Sequence, residues 1–186
     1  ETDTPNPQSV YGQTKYDGEE SIKESKVKHL IFRTAWVYSK RGTNFIKTMI
    51  QLAKKQDELK VVNDQIGAPT GAELIADVTA LCLHQIAQNK NPAHNLSGTY
   101  HLTPTGETSW HGFAQFIITE ALGLGVKFRV SFENVQAIST SEYPLPAKRP
   151  SNSLLDTKKI CNTFNVYMPP WQTHVERLFK ELYSQR

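Results

Sequence analysis

The sequence predicts an α/β fold in which a parallel sheet is joined to a smaller α+β unit. Three observations carry that expectation. Apolar runs of strand length at residues 29–34 and 59–62 alternate with amphipathic helical stretches, the order that places helices on the faces of a parallel sheet. The run His29-Leu30-Ile31-Phe32-Arg33-Thr34 lacks strict apolar/polar alternation, as strands buried on both faces do. A loop over 36–43 follows that run directly, at the strand end where open α/β sheets bind ligands.

The elements follow in order. Residues 11–26 read as a helix, 29–34 as a strand and 36–43 as a loop. Residues 44–55 form a helix with Phe45, Met49, Leu52 and Ala53 on one face. Residues 59–62 are a second strand and 64–69 a turn-rich loop. Thr70 and Glu73 have capping-box spacing. They open a helix whose inner stripe is Leu74, Val78, Leu81, Cys82 and Gln85 or Ile86. Residues 89–97 are a polar linker and 100–103 a strand. A helix over 109–124 turns Phe113, Phe116, Ile117 and Ala121 inward. Residues 126–130 and 135–138 read as extended. Residues 139–150 hold three prolines and read as an ordered loop. Asp156 caps a short helix. Pro170 starts the last one, with Trp171, Val175, Leu178, Phe179 and Leu182 inward. There is no internal repeat and no low-complexity tract.

Composition excludes several classes. Lys and Arg number 21 against 18 Asp and Glu, a net charge of +3 without a long run of one sign. That argues against a nucleic-acid partner and against an acidic membrane surface. No apolar run reaches the length of a membrane span. The two cysteines stand apart from any His/Asp constellation. Cys82 reads as a small core residue and Cys161 as a second helical one, a usage that suits a reducing, cytoplasmic setting.

The most informative stretch is Tyr11-Gly12-Gln13-Thr14-Lys15. On a helix, positions four apart share a face. An ammonium beside a phenol favours the phenolate, which lets a tyrosine exchange a proton with a carbonyl oxygen. On spacing alone, a surface helix with a partly buried Tyr and a solvated Lys is the better account of the pair. The surroundings decide the matter. Pro5, Pro7 and Tyr11-Gly12-x-Thr14-Lys15-x-x-Gly18-Glu19 are followed by Arg33-Thr34-Ala35-Trp36-Val37-Tyr38 and Asn44-Phe45. Then come Asp64-Gln65-Ile66-Gly67-Ala68-Pro69-Thr70, Gly98-Thr99-Tyr100-His101-Leu102 and Arg149-Pro150-Ser151-Asn152-Ser153-Leu154-Leu155-Asp156-Thr157. This series resembles the extended short-chain dehydrogenase/reductases and, within them, the dTDP-4-dehydrorhamnose reductase family, over residues 1 to about 182.

The resemblance implies the C-terminal part of a Rossmann-type sheet (residues 1–62) and a mainly substrate-binding α+β domain (63–186) with some return elements to the sheet. It implies reduction of the C4 keto group of dTDP-4-dehydro-L-rhamnose with NADH or NADPH, on the way to surface polysaccharide. Tyr11 is the expected proton donor and Lys15 the partner of the nicotinamide ribose, so both are catalytic and cofactor-binding. No G-x-G-x-x-G or G-x-x-G-x-x-G turn is present. Such a turn and its helix N-terminus are what hold a pyrophosphate. The expectation is therefore a piece of a reductase, inactive alone, whose strand 29–34 offers an edge for self-association or a homodimer.

Further residues divide between two readings. Trp36 is a core aromatic or, by resemblance, a contact to the deoxysugar. Arg149 is a surface arginine or a grip on the diphosphate. Asn44 touches substrate or caps its helix. Glu73 and Glu181 match glutamates through which some relatives hold an intersubunit Mg2+. As plain residues they are a capping-box member and a solvent-facing helix residue. His101 and His111 read as structural or exposed. Two rival functions remain: a non-catalytic, reductase-like regulatory subunit of the methionine adenosyltransferase type, and a nucleotide-sugar epimerase or dehydratase. The first departs from this chain at Trp36 and at 64–70.

Overall fold

The structure, a computed structural model, describes residues 1–89, 95–144 and 149–183. The middle of the expected 89–97 linker and of the 139–150 loop (residues 90–94 and 145–148) lies outside the described residues. Helix α1 (Val10–Glu24) opens at Ser9, whose Oγ accepts a hydrogen bond from the Gly12 N–H at 3.1 Å. It closes where Lys26 turns into the left-handed region at φ 57°. Not one of its residues is buried.

Strand β1 (Leu30–Arg33) leads to β2 (Val37–Tyr38), α2 (Phe45–Lys55) and β3 (Leu59–Val62). Two short strands, β4 (Ile66–Gly67) and β5 (Thr70–Gly71), precede α3 (Ala72–Gln88). After them come β6 (Gly98–His101), β7 (Thr108–Ser109), α4 (Trp110–Gly123) and β8 (Val135–Ile138). Helices α5 (Lys158–Phe164) and α6 (Trp171–Tyr183) complete the order. Pairing is parallel for β1–β6, β2–β5 and β3–β8 and antiparallel for β4–β7. The fold is thus mixed α/β with parallel strands and six helices among the described residues, as expected.

Two apolar cores hold it. The larger packs α2, α4 and α6 against β3 and β8, through Ile46, Ile50, Phe113, Ile117, Val175 and Phe179. The smaller gathers Leu74, Val78, Cys82, Tyr100, Leu102 and Phe164 from α3, β6 and α5, with Leu30 and Phe32 of β1 against it. Each core draws on residues from both sides of position 62. β6 lies beside β1, with Leu30 opposite Gly98 and Arg33 opposite His101.

Several local expectations need correcting. β1 is only half-buried throughout, because among the described residues β6 is its only partner strand. There is no capping box at Thr70. That residue is drawn into β5, its Oγ1 donates to the Ala68 carbonyl at 3.1 Å, and Gly71 precedes α3 without a side-chain cap. Leu81 is 51% exposed, so the inner stripe of α3 is Leu74, Val78 and Cys82. Residues 126–130 form no strand. Instead, the Arg129 and Val130 N–H groups donate to the Ala53 carbonyl at the end of α2. Asp156 accepts from the Lys158 N–H at 2.9 Å while Thr157 occupies the cap position of α5.

Candidate active site

The site is built from two places that follow one another along β1. On the first turns of α1, Lys15 Nζ stands 5.3 Å from the centre of the Tyr11 ring, and Tyr11 is 73% exposed. The helical spacing therefore does bring phenol and ammonium together on an open face. One turn on, Glu19 fixes the helix to the sheet. Arg33 at the end of β1 donates from Nη2 at 2.6 Å and from Nε at 2.9 and 3.1 Å to the Glu19 carboxylate. The hydrogen bond from Arg33 is the main cause holding the Glu19 carboxyl below its usual range.

Just past β1, Trp36 takes a left-handed backbone at φ 51°, a region that large L-residues rarely enter. Its carbonyl accepts from the Thr70 N–H at 3.2 Å, which extends the β2–β5 pairing by one residue. Its ring stacks on Trp110 with centroids 3.6 Å apart and planes 14° apart. Trp110 in turn leans on Phe45 at 4.6 Å. These two aromatics form one wall of a cleft of about 850 Å³, whose polar lining includes Lys60, Gln65, Thr140 and Arg149. The floor is apolar, from Met49, Leu52, Val61 and Val62. The Asp64 carboxylate latches one rim by accepting from the Thr140 N–H at 3.0 Å and from its hydroxyl at 2.6 Å. Those bonds hold the Asp64 carboxyl below its ordinary value. Gln65 Nε2 donates to the same Thr140 hydroxyl at 3.0 Å.

The residues singled out from sequence thus part company. Arg149 lines the cleft, and Trp36 reaches it through Trp110. Tyr11 and Lys15 do not line it. Asn44 is used up as a helix cap: its Oδ1 accepts from the Lys47 N–H at 3.2 Å and its Nδ2 donates to the Ser39 carbonyl at 2.6 Å. Glu73 lies by Gly71 and the buried Tyr38, whose phenol is pushed up first by burial and then by the Glu73 charge. Glu181 is engaged by Arg177 at 3.4 Å and Lys40 at 3.8 Å. No group of three or more His, Cys, Asp or Glu among the described residues is placed to hold a metal ion. Within one chain, the described residues offer no donor set that fits a magnesium site. His101 Nδ1 meets the Asp156 carbonyl at 3.1 Å and His111 Nε2 the Val135 carbonyl at 2.9 Å, both structural roles. Burial pushes the Cys82 thiol up to about 11, so it is inert core.

Trp110, Lys60 and Gln65 were not legible as site residues. Trp110 directly follows the Ser109 helix cap, and only the β4–β7 register, with Gly67 opposite Thr108, brings it to Trp36.

Residues 1–184 match the RmlD substrate binding domain. The chain belongs to that family. It is 46% identical to a dTDP-4-dehydrorhamnose reductase of Escherichia coli (strain K12) over 184 residues, covering 99% of this chain and 60% of that relative. Among solved structures, a Clostridium acetobutylicum dTDP-4-dehydrorhamnose reductase is 37% identical with a TM-score of 0.81, over 98% of this chain and 59% of the other. The Bacillus anthracis dTDP-4-dehydrorhamnose reductase, solved in complex with NADP, is also 37% identical, with a TM-score of 0.79 over 97% and 58% of the two chains. The chain thus spans about three fifths of the length of the family members it matches. No helix among the described residues is long and apolar enough to cross a membrane.

Proposed function

We propose that this chain is the catalytic-helix and substrate-binding part of a reductase that converts dTDP-4-dehydro-L-rhamnose to dTDP-L-rhamnose with NADH or NADPH. The observation that carries the reading is the exposed Tyr11–Lys15 pair, tethered by Glu19 to the strand that ends at an aromatic-walled cleft. Relatives named for this reaction match it over 99% of its length.

The nicotinamide end of a cofactor fits these residues, because Tyr11 is open and Lys15 stands beside it. The pyrophosphate end does not. The nearest glycine pair, Gly123 and Gly125, flanks the end of α4, where the Leu124 and Gly125 N–H groups are spent on the helix's own carbonyls. When bound, the nicotinamide supplies a hydride to the C4 carbon of the keto sugar. The work of this chain's residues is then plain. The Tyr11 hydroxyl gives its proton to the C4 oxygen as negative charge develops there. Lys15 offers its ammonium to the ribose hydroxyls. The cleft holds the rest of the nucleotide sugar. Its apolar floor and aromatic wall take the ring faces, and Arg149 and Lys60 supply positive charge for the diphosphate. On this reading the substrate cleft draws on both sides of the 62/63 division, with Met49, Leu52 and Lys60 before it and Gln65, Trp110 and Arg149 after it. The same reading suits a cytoplasmic enzyme and a homodimer.

The test is turnover in the full-length protein. Tyr11→Phe is expected to lower kcat by about 10²-fold or more with nucleotide-sugar affinity nearly unchanged. Lys15→Met is expected to harm both nicotinamide affinity and kcat. A Tyr11→Phe enzyme that keeps more than about a tenth of its kcat would remove Tyr11 from the reaction.

A further inference from the structure

Gly67 is the residue against which Trp36 lies. A Cβ built there would stand 2.6 Å from Cε2, 2.8 Å from Cζ2 and 3.0 Å from Cδ2 of the Trp36 indole. These are ring atoms on a rigid side chain, and the ring has little room to retreat. It stacks on Trp110 at 3.6 Å, and its own backbone is pinned at φ 51° by the bond from Thr70. Gly67 does not need glycine for its backbone, since its φ is not in the left-handed region. Nor is it free to shift alone: it pairs with Thr108, two residues before Trp110. One short ladder thus carries both the glycine that admits the Trp36 ring and the tryptophan on which that ring stacks.

We propose that Gly67 is a positioning residue for substrate recognition: its missing side chain lets Trp36 seat against the β4 backbone and set the angle of Trp110, the aromatic wall of the cleft. Any side chain at 67 moves Trp36, and the stack passes the movement to Trp110 at the sugar-nucleotide site. The left-handed conformation of Trp36 is unfavourable for a large L-residue, and the seat and stack offset that strain. This inference rests on the cleft being the substrate site, and its spectroscopic arm does not.

The test is a double-mutant cycle in the full-length protein, with Gly67→Ala, Trp36→Ala and the pair. Two indoles stacked this closely give an exciton couplet in the far-ultraviolet circular dichroism, assigned here by its loss in Trp110→Phe. Gly67→Ala is expected to abolish the couplet. It should also raise KM for dTDP-4-dehydrorhamnose about tenfold, the scale of one lost aromatic contact, with nicotinamide KM within about twofold. In the Trp36→Ala background, the same methyl finds the space empty and adds no further change in KM or melting temperature. If Gly67→Ala does not fold, the pair is still expected to fold. An equal penalty from Gly67→Ala in both backgrounds, a pair that fails to fold, or an intact couplet in Gly67→Ala each overturns the proposal. Loss of the couplet and a non-additive melting temperature, in a protein with no reductase turnover, would uphold the positioning role and reject the function instead.

Discussion

Replacing Glu19 by Gln isolates what ties helix α1 to the body. Helix α1 has 15 residues and buries none of them. An isolated helix of that length is marginal in water. Its anchor is the two-pronged bond from Arg33, with side chains 15% exposed at Glu19 and 25% at Arg33. Charge-assisted bonds of this kind contribute about 1.5–3 kcal/mol where water is excluded. Discounted for the exposed part, about 1–2 kcal/mol remains. Among the described residues, no α1 residue belongs to either apolar core, so most of the effect falls on its docking. An opening equilibrium shifted by 1–2 kcal/mol changes by about 5- to 30-fold.

The assay is amide hydrogen exchange on the 186-residue chain, reading the amides of α1 against those of α4. Protection in α1 is expected to fall about 5- to 30-fold in Glu19→Gln, with α4 unchanged. The effect has a pH signature. Arg33 lowers the folded-state Glu19 carboxyl below its unfolded value, which is about 4.3. Stability from the pair is therefore complete above about pH 4.3 and is lost as pH falls through the lower folded value. The same bond shifts the Arg33 guanidinium upward, so its share of the stability is lost only in strong alkali, above the ordinary arginine range. Wild type and variant should converge in acid. Equal protection of α1 in the two proteins at neutral pH would show that something other than Arg33 holds the helix.

The remaining expectations concern recognition and assembly. Trp36→Ala in the full-length protein should raise KM for the keto sugar nucleotide far more than KM for the nicotinamide; equal effects together with a large fall in melting temperature would make Trp36 a core residue. The 186-residue chain alone should bind neither NADH nor NADPH in calorimetric titration, since on the proposed reading Tyr11 and Lys15 meet only the nicotinamide end; micromolar binding would mean that a pyrophosphate site exists here without a glycine turn. Among the described residues, β1 has β6 on one side and no strand on the other, so the chain should self-associate through that edge. Sedimentation velocity showing a monomer at every concentration would refute it.

Much of the fold was legible because its signals are local. The apolar spacing of α4 and the Leu59–Val62 run survive intact, since a helix stripe or a buried strand is written in consecutive residues. Tyr11 and Lys15 were legible for the same reason: one helical turn is a short-range fact. What failed was long-range. Thr70 and Glu73 have the spacing of a cap, yet Thr70 is claimed by pairing with Val37. The strand 29–34 reads from sequence as one buried on both faces, but its exposure depends on how many strands lie beside β1. The cleft is the clearest case. Phe45 comes from α2, Trp110 from α4 and Arg149 from a loop, and no spacing along the chain relates them. The left-handed turn at Trp36 had no signal either, because the residue there is neither Gly nor Asn.

Taken together, these contacts explain why catalytic helix and cleft keep their places relative to one another. Arg33, the last residue of β1, grips Glu19 on α1, and three residues later Trp36 stacks on the cleft wall. Three residues span at most about 11 Å of extended chain, so a tether this short leaves little slack between the two. The left-handed turn at Trp36 shortens it further. A rotation of α1 that carried Tyr11 away from a bound carbonyl would have to stretch the Arg33–Glu19 bonds or pull on the segment that seats Trp36. On the proposed reading, the phenol that would donate the proton and the aromatic wall that would position the sugar are therefore referenced to one strand end. That is the arrangement a reductase needs, since the proton must arrive at an oxygen whose position is set by binding groups on other elements.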